Sequence, residues 1–534
     1  MRGEEEIPYD RERPETTPAI AVTTIDPELE EPIRLPGEED PYEHEQKVGI
    51  GFFRFRFSLS SFRLGPGFSL RRFSIAEATL LLIMAYIASR GLGVVRQSMF
   101  NAIFGTGLEA NAYYAAFRLP DTLFNLIAGG ALIQAFVPVF VSYEKRQGQT
   151  ESWRLTSLVF NVMLVTLTLL LLVAEFLAPA FVNKLLVPGY SPAEQALTTS
   201  LTRIVLVQPL ILGIGTIVTA VLSSKRQFLL PALSIAVYNV GLIAGLLFTL
   251  AVPGVGVYGP TYGVLVAAAC QLLVQVPGLL KQKARYMFVW NLRHPGLHEV
   301  LRLLVPGAIS VAILSIGFIV DTAFTSYLAD QASLAALHNA QMLFALPVAL
   351  LAQAVAQAAL PRMSSLATDG QYLRLRYLMR KVIGAAVLLS IPTALLLVIL
   401  GKPVIHLLFQ HGAFTRHSSN LTYLALIGYA IGLPGVVAGD LLARSFYSLK
   451  DARTPLFTNI FALFVRLGLI IFLLKLLAGT SVLLAIPLAA SGALTAEALL
   501  LCLLLFLRLR AKIKHEKTMQ TEEQQLIAAS GKNP

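Results

Sequence analysis

The chain has 534 residues, of which 55% are hydrophobic and only 14% are charged. A soluble globular protein carries about 25% charged residues, so the composition excludes that class and predicts a chain that crosses a membrane many times. The net charge of +11 does not indicate nucleic acid, because the basic residues lie between apolar runs. Cys270 and Cys502 lie far apart within such runs, which excludes a disulfide framework and a cysteine metal motif.

The composition of the first 72 residues predicts a cytoplasmic region that consists of two parts. Residues 1–48 are rich in Glu, Pro and Asp and show almost no apolar periodicity, so we expect them to be disordered. Residues 49–72 interleave arginines with phenylalanines. This pattern fits a segment on an anionic membrane surface, and it also fits an ordinary basic flank of the first membrane span.

Twelve apolar runs follow, and each reaches the roughly 20 residues that a helix needs to cross the hydrocarbon core. They lie at Ile75–Phe104, Ala112–Tyr143, Leu155–Val182, Leu197–Leu222, Leu229–Val252, Gly259–Leu280, Val300–Leu328, Leu334–Ala367, Tyr377–Leu400, Leu421–Leu449, Leu456–Leu477 and Val482–Leu507. A basic, amphipathic connector at Lys281–Glu299 divides them six and six. We therefore predict an all-α polytopic membrane protein with about twelve transmembrane helices in two six-helix lobes, a pattern typical of transporters with internal repeats.

Lysine and arginine concentrate in every second loop. One set of loops is strongly basic, whereas the other set holds only Lys184, Lys402, Arg416 and Lys475. Because basic loops stay in the cytoplasm, both termini are predicted to be cytoplasmic.

Five regions follow from this organisation. We predict a cytoplasmic N-terminal region (1–72), an N-lobe with spans 1–6 (73–282), a cytoplasmic connector (283–299), a C-lobe with spans 7–12 (300–510) and a cytoplasmic tail (511–534).

No catalytic or metal motif is present in the sequence. The histidines of the C-terminal half are not spaced as metal ligands on one helix face, and no Ser/His/Asp or phosphate-loop pattern occurs. We therefore expect a protein that is not an enzyme and that needs no metal or cofactor.

Charged residues within the apolar runs are the stronger signal, because such residues normally face a bundle interior or a watery cavity. Arg90 and Arg96 lie six residues apart, so on one helix they point in directions that differ by about 120°. Both can line a cavity if the helix is broadly exposed to it. Structural pairing or extension of the side chains to the membrane surface is the alternative.

Other intramembrane charges could be neutralised by neighbours. Arg118 and Asp121 are three residues apart on one helix face, so Arg118 is either a cavity cation or the partner of Asp121. Asp321 sits alone in the seventh run, where it would bind a cation or proton or find a partner. Arg466 in the eleventh run is a candidate partner, so these two residues form either an inert charge pair or an ion-coupling site.

Three parts of the chain resemble the MurJ/MviN family of lipid II flippases, within the multidrug/oligosaccharidyl-lipid/polysaccharide (MOP) exporter superfamily. Ser89–Pro138 carries SRxLGxxR, FGxG, FRLP and GAxxQAFVP in that order. Gln271–Pro277 reads QLLVQVP and Val320–Leu328 reads VDTxFxSxL. Phe409–Phe414 reads FQHGAF, and Leu441–Pro455 reads LLARSFYSLKDARTP. These motifs extend across the whole membrane portion in the family's order.

The resemblance implies two six-helix lobes that form a V around a cationic cavity in the bacterial cytoplasmic (inner) membrane. It further implies alternating access that carries an undecaprenyl-pyrophosphate-linked sugar lipid to the outer leaflet for peptidoglycan synthesis, with cell-wall synthesis proteins as candidate partners. On this basis Arg90, Arg96 and Arg118 would bind the substrate, because arginine forks match phosphate oxygens bidentately.

The chain departs from the family where the family carries charge. Phe124 and Asn125 replace two arginines of the PNLLRRxxAEG motif, and Gly129 replaces its glutamate. Asn111 and Gln97 stand where the family has acidic residues.

Two later departures concern the C-terminal half. Met342 replaces another cavity arginine, and Arg466 stands where the family usually has asparagine, which could place a fixed cation beside Asp321. The chain also has about twelve spans, whereas many members have fourteen, in which the additional pair is associated with a groove for the lipid tail.

Three hypotheses follow from the resemblance and its gaps. The leading one is a flippase of lipid II or a related lipid-linked oligosaccharide. The second is an exporter of another amphiphile on the same scaffold, and the third is a transport-inactive paralogue that acts as a membrane scaffold.

Overall fold

The computed structural model describes residues 75–252 and 254–529. Within these ranges the chain is helical and contains no β-strand, which confirms the predicted all-α fold. The expectations for residues 1–72 lie outside the described residues.

The N-terminal half of the described chain contains nine α-helices. They are α1 (Ile75–Phe104), α2 (Leu108–Ala116), α3 (Arg118–Ile127), α4 (Gly130–Phe181), α5 (Pro192–Val205), α6 (Gln208–Ser224), α7 (Leu229–Ala251), α8 (Tyr258–Leu273) and α9 (Val276–Lys281). The C-terminal half contains α10 (Pro295–Ser326), α11 (Ser333–Val348), α12 (Val355–Thr368), α13 (Tyr372–Phe409), α14 (Arg416–Ile431), α15 (Leu433–Ser448), α16 (Arg453–Leu476) and α17 (Ala485–Ala529).

These helices accommodate about twelve membrane crossings. Nine helical stretches of the described residues, or ten if α14 and α15 form one bent span, are long and apolar enough to cross a membrane. One stretch, Leu108–Leu186, has 79 residues, far more than the roughly 20 that one crossing needs. It leaves the helical conformation at Gly148, where φ is 87°, and so provides two crossings. Helix α1 adds the first span, and the total reaches twelve.

The fourth span of each half is broken at its middle, at matching places. Helices α5 and α6 meet just before Pro209, and α14 and α15 meet at Gly432, just before Pro434, with a bend of 49°. Proline lacks a backbone N–H and favours the first turn of a new helix. A break at the matching place in both halves, more strongly bent in the C-terminal half, fits two structurally repeated lobes.

Each lobe has its own apolar core. In the N-lobe, Phe136, Phe140 and Trp153 of α4 pack with Leu297 of α10. In the C-lobe, the largest buried group contains Phe409, Phe414, Leu426 and Tyr429 together with residues of α11 and α17. Helix α10 packs against α3 and α4 on one side and against α16 on the other, so it joins the two lobes.

The connector before α10 is an extended segment that lies along α4. The Tyr286 hydroxyl donates to Asn161 Oδ1 at 2.9 Å, and the Met287 amide donates to Ser157 Oγ at 3.1 Å. The Asn161 side-chain amide in turn donates to the Val289 carbonyl at 3.0 Å. Side chains alternate along this segment, with Phe288 exposed between its neighbours. The connector is therefore attached to the N-lobe.

Glycines allow α7 and α8 to pack backbone to backbone. A Cβ atom added to Gly245 would lie 2.7 Å from Gly263 Cα, and one added to Gly241 would lie 2.6 Å from Ala267 Cα. Such distances are shorter than van der Waals contact, so even an alanine at these positions would force the helices apart.

We expect Gly245→Ala to lower the thermal unfolding temperature of the protein in detergent, because overpacking costs about 1–3 kcal/mol. Gly468→Ala is the matched control, since a Cβ at Gly468 meets no atom of the described residues within 4 Å and alanine favours a helix by about 0.5–1 kcal/mol over glycine. An equal loss of stability in both variants would contradict the close packing of α7 on α8.

Candidate functional site

Two cavities that share residues lie in the N-lobe beside the interface with the C-lobe. The smaller one, of about 220 Å³, is lined by Arg96 of α1 and by Arg118 and Asp121 of α3. His338 of α11 closes it from the C-lobe, stacked on Tyr114 with ring centroids 4.0 Å apart. Two guanidinium groups therefore share one cavity with a single carboxylate.

The structure gives Arg118 a partner on the other lobe. Its Nε donates to Thr322 Oγ1 of α10 at 3.0 Å, and its guanidinium lies 5.5 Å from the centre of the Phe318 ring. Within the described residues no ion pair joins Arg118 to Asp121, although their spacing predicted one as an alternative. Asp121 is exposed to the cavity instead.

Arg90 and Arg96 are placed differently. Arg96 is half-buried and lines the smaller cavity, whereas Arg90 is exposed on α1 and lines neither of the two cavities. The rotation of about 120° between positions six residues apart on one helix accounts for this difference.

The larger cavity, of about 520 Å³, shares Asp121 and Tyr238 with the smaller one. Phe124 and Asn125 line it, so the positions where the family carries two arginines do face a cavity, but without charge. It extends towards the basic loops, because Thr219 also lines it and is six residues from Lys225, about 9 Å along a helix.

The sequence analysis named charged residues as candidates and did not predict the neutral polar groups of this cavity. Gln271, Thr216, Thr219 and Ser234 all line it. A glutamine within an apolar run, such as Gln271, does indicate a polar site, since buried amides need hydrogen-bond partners. Tyr238 carries no such signal, because tyrosine is common in ordinary packing.

A cluster of side-chain amides joins the lobes at the closed end of the smaller cavity. Gln97 Nε2 donates to Asn339 Oδ1 at 2.9 Å and to the Tyr114 hydroxyl at 2.6 Å. Asn101 Nδ2 also donates to Asn339 Oδ1 at 2.9 Å. Gln97, Asn101 and Asn339 are all buried, so α1 of the N-lobe and α11 of the C-lobe are connected by satisfied hydrogen bonds. We call these three residues the amide cluster.

Beyond the amide cluster, loops of the C-lobe contact the ends of α1 and α2. The Ala413 amide donates to the Ala102 carbonyl at 2.8 Å, and the Asn111 side chain joins the Gln331 carbonyl. Gly412 has a φ of 56°, and a Cβ added there would overlap the backbone of Ala102. The lobes are thus closed at the end opposite the basic loops.

The C-lobe contains a separate ion pair between Asp321 of α10 and Arg466 of α16. Their side chains are only 8% and 13% exposed. Gly317, one turn before Asp321, leaves room for the guanidinium, since a Cβ added there would lie 2.7 Å from Arg466 Nη1. Among the described residues, Asp321 Oδ1 and Arg466 Nε have no hydrogen-bond partner. The two residues that the sequence offered as a charge pair or an ion-coupling site are therefore in direct contact.

The amino-acid sequence is similar to those of known membrane proteins. The model of the family "Lipid II flippase MurJ" matches residues 100–530. The lipid II flippase MurJ of Burkholderia cenocepacia is 31% identical over 375 residues, which cover 69% of this chain and 72% of that protein. The probable lipid II flippase MurJ of Thermotoga maritima is 28% identical over 446 residues, which cover 83% of this chain and 87% of that protein.

Solved structures show the same fold. A lipid II flippase MurJ in an inward closed conformation has a TM-score of 0.68 and 24% sequence identity, covering 80% of this chain and 87% of that one. An inward-facing multidrug resistance transporter of the MATE family, in the MOP superfamily, has a TM-score of 0.68 and 14% sequence identity. The match covers 81% of this chain and 99% of that one.

The likeness to these structures shows that the chain has the MOP exporter fold, with two lobes and a polar cavity beside their interface. The family model covers most of the chain and carries the assignment further. The chain belongs to the lipid II flippase MurJ family, which confirms the resemblance seen in the sequence and the prediction of a transporter.

We expect Asn339→Ala to weaken the closure between the lobes, because it removes the acceptor of the buried Asn101 amide, at a cost of about 1–3 kcal/mol. The measurement uses protein that lacks Cys270 and Cys502 and carries Ala335→Cys as a reporter. In the Asn339→Ala variant, a thiol reagent should label this reporter roughly tenfold faster, or more, than in the protein with Asn339. Asn239→Ala is the matched control, since Asn239 bonds to Ser89 within the N-lobe. Equal labelling rates in both variants would contradict a role for the amide cluster in closure.

Replacing Arg466 by methionine should destabilise the protein by about 3–5 kcal/mol, because Asp321 then keeps a buried charge without a partner. The double variant Asp321→Asn with Arg466→Met should recover much of that loss, since a neutral pair needs no counterion. Thermal unfolding of the three proteins in detergent measures both effects. A double variant no more stable than the single one would show that the ion pair does not hold α10 on α16.

Proposed function

We propose that this protein flips a lipid-linked oligosaccharide, the peptidoglycan precursor lipid II, from the inner to the outer leaflet of the bacterial cytoplasmic membrane. The observation that carries the proposal is the convergence of Arg96 and Arg118 on one cavity beside the interface of the lobes. A diphosphate needs cationic donors, and arginine supplies two parallel N–H bonds to phosphate oxygens. Arg96 and Arg118 would hold the diphosphate, and Arg90 would attract it from the exposed surface of α1.

The larger cavity suits the sugar part of the same substrate. Its amide and hydroxyl groups, on residues such as Asn125, Thr219 and Gln271, can donate to and accept from sugar hydroxyls. Tyr238 lines both cavities, so a ligand that spans them would have its charged part at the arginines and its neutral polar part beside these side chains.

Membership of a flippase family and the closed lobe interface support transport by alternating access. The lobes are held together at the end with few basic residues, by the amide cluster and the loop contacts beyond it. If the basic loops lie in the cytoplasm, as lysine and arginine distribution indicates, this conformation receives substrate from the cytoplasmic side. Both termini are then cytoplasmic, and the reaction is translocation in which no covalent bond changes.

The proposal is tested by depleting the resident flippase of a bacterium, expressing this chain and measuring exposure of lipid II at the outer leaflet. Wild-type protein should restore exposure, and Arg96→Ala and Arg118→Ala should abolish it. Each lost guanidinium removes charge-assisted hydrogen bonds worth about 1.5–3 kcal/mol, or roughly 10- to 150-fold in affinity. Arg203→Ala is the matched control, because Arg203 pairs with Glu175 at 3.2 Å and lines neither cavity.

Membrane levels of every variant are measured in the same cells, so that loss of protein is distinguished from loss of transport. Wild-type protein that inserts normally and restores no exposure would overturn the proposal. That result would leave an exporter of another amphiphile or a transport-inactive scaffold.

A further inference from the structure

We propose that Glu497 is a proton-binding site in the interior of the C-lobe, protonated in this conformation. Glu497 lies on α17, about 16 Å along the helix from Arg508 and about 18 Å from Ala485, and therefore near the middle of a hydrocarbon core about 30 Å thick. It is only 6% exposed. An ionised carboxylate at this depth is strongly disfavoured unless a cation faces it.

The hydrogen bonds around Glu497 favour a bound proton. The Thr458 hydroxyl lies 3.3 Å from Glu497 Oε1 and 3.1 Å from the Pro455 carbonyl oxygen. A hydroxyl carries one proton and so cannot donate to both acceptors at once. When Glu497 is protonated, its O–H can donate to Thr458 Oγ1 while Thr458 donates to Pro455. Every group in this short chain is then satisfied.

The cations near Glu497 are already engaged by other carboxylates. Helix α16 presents Arg466, which pairs with Asp321 of α10. Helix α15 presents Asp440, Arg444 and the Tyr447 hydroxyl. Asp440 and Arg444 pair with each other at 3.1 Å. Within the described residues no ion pair includes Glu497.

A small cavity gives the proton a means of release. It has a volume of about 30 Å³ and is lined by Glu497, Asn459 and Arg466, which is room for about one water molecule. Arg466 is paired with Asp321 only while α10 stays on α16. A movement of α10 that separates this pair would free Arg466 to face Glu497 across the cavity. The carboxyl group would then lose its proton to water and form the new ion pair, so that this movement of α10 within the C-lobe is linked to proton release.

The binding site stands on this geometry alone, whereas its use in transport rests on the proposed flipping of lipid II. The site is tested with full-length protein in lipid nanodiscs by infrared spectroscopy at near-neutral pH. Wild-type protein should show the carbonyl band of a protonated carboxylic acid, and Glu497→Gln should lose it. Thr458→Val should keep the band at a shifted frequency, because the O–H loses its acceptor.

Glu175→Gln is the matched control, since Glu175 lies in a span of the N-lobe and pairs with Arg203; it should keep the band. Glu497→Gln should also unfold at or above the wild-type temperature, because glutamine resembles the protonated acid. A band that is unchanged in Glu497→Gln would overturn the proposal, as would a large loss of stability in that variant.

The link to transport is measured separately, as the rate of lipid II flipping in proteoliposomes at several pH values. We expect the rate to depend on pH in the wild-type protein and to be nearly independent of pH in Glu497→Gln. The same pH profile in both proteins would overturn the link. If the wild-type protein flips no lipid II at any pH, the proposed function fails while the infrared result still decides the proton site.

Discussion

The high cost of a bare charge in hydrocarbon is the constraint on which the rest of this structure depends. An ionised side chain within a span needs a partner, a cavity or a proton, and all three solutions occur or are proposed here. Asp321 and Arg466 pair inside the C-lobe, and Arg96 and Asp121 line a cavity. The ion pair ties α10 to α16, so a buried charge also determines which helices stay together.

Helix α10 is the element where these ties meet. It carries Thr322, which accepts from Arg118 of the N-lobe, and Asp321, which pairs with Arg466 of the C-lobe. Adjacent residues of α10 thus contact both lobes. If Arg118 binds the substrate as proposed, an anion that draws its guanidinium away from Thr322 would remove one contact between α10 and the N-lobe.

The cavity differs in charge from the pattern that the family motif implies. Phe124 and Asn125 face the larger cavity in place of two arginines, while Asp121 offsets part of the charge that remains. Fewer cations lower the attraction for any anion, whatever its shape. Recognition here should therefore depend more on hydrogen bonds to neutral groups and on fit, which are the interactions that distinguish one sugar headgroup from another.

The sequence by itself determined the helical class, the number of spans and the family, because hydropathy, basic loops and short motifs are local properties of the chain. It also supplied Arg466 as a candidate partner of Asp321, since an unpaired buried charge is costly. Only the tertiary structure decided that Arg118 bonds to Thr322 rather than to Asp121, that Arg90 turns away from the cavity of Arg96, and that Gln97, Asn101 and Asn339 meet. Those contacts join residues far apart in sequence, and packing between the lobes, which no local pattern encodes, brings them together.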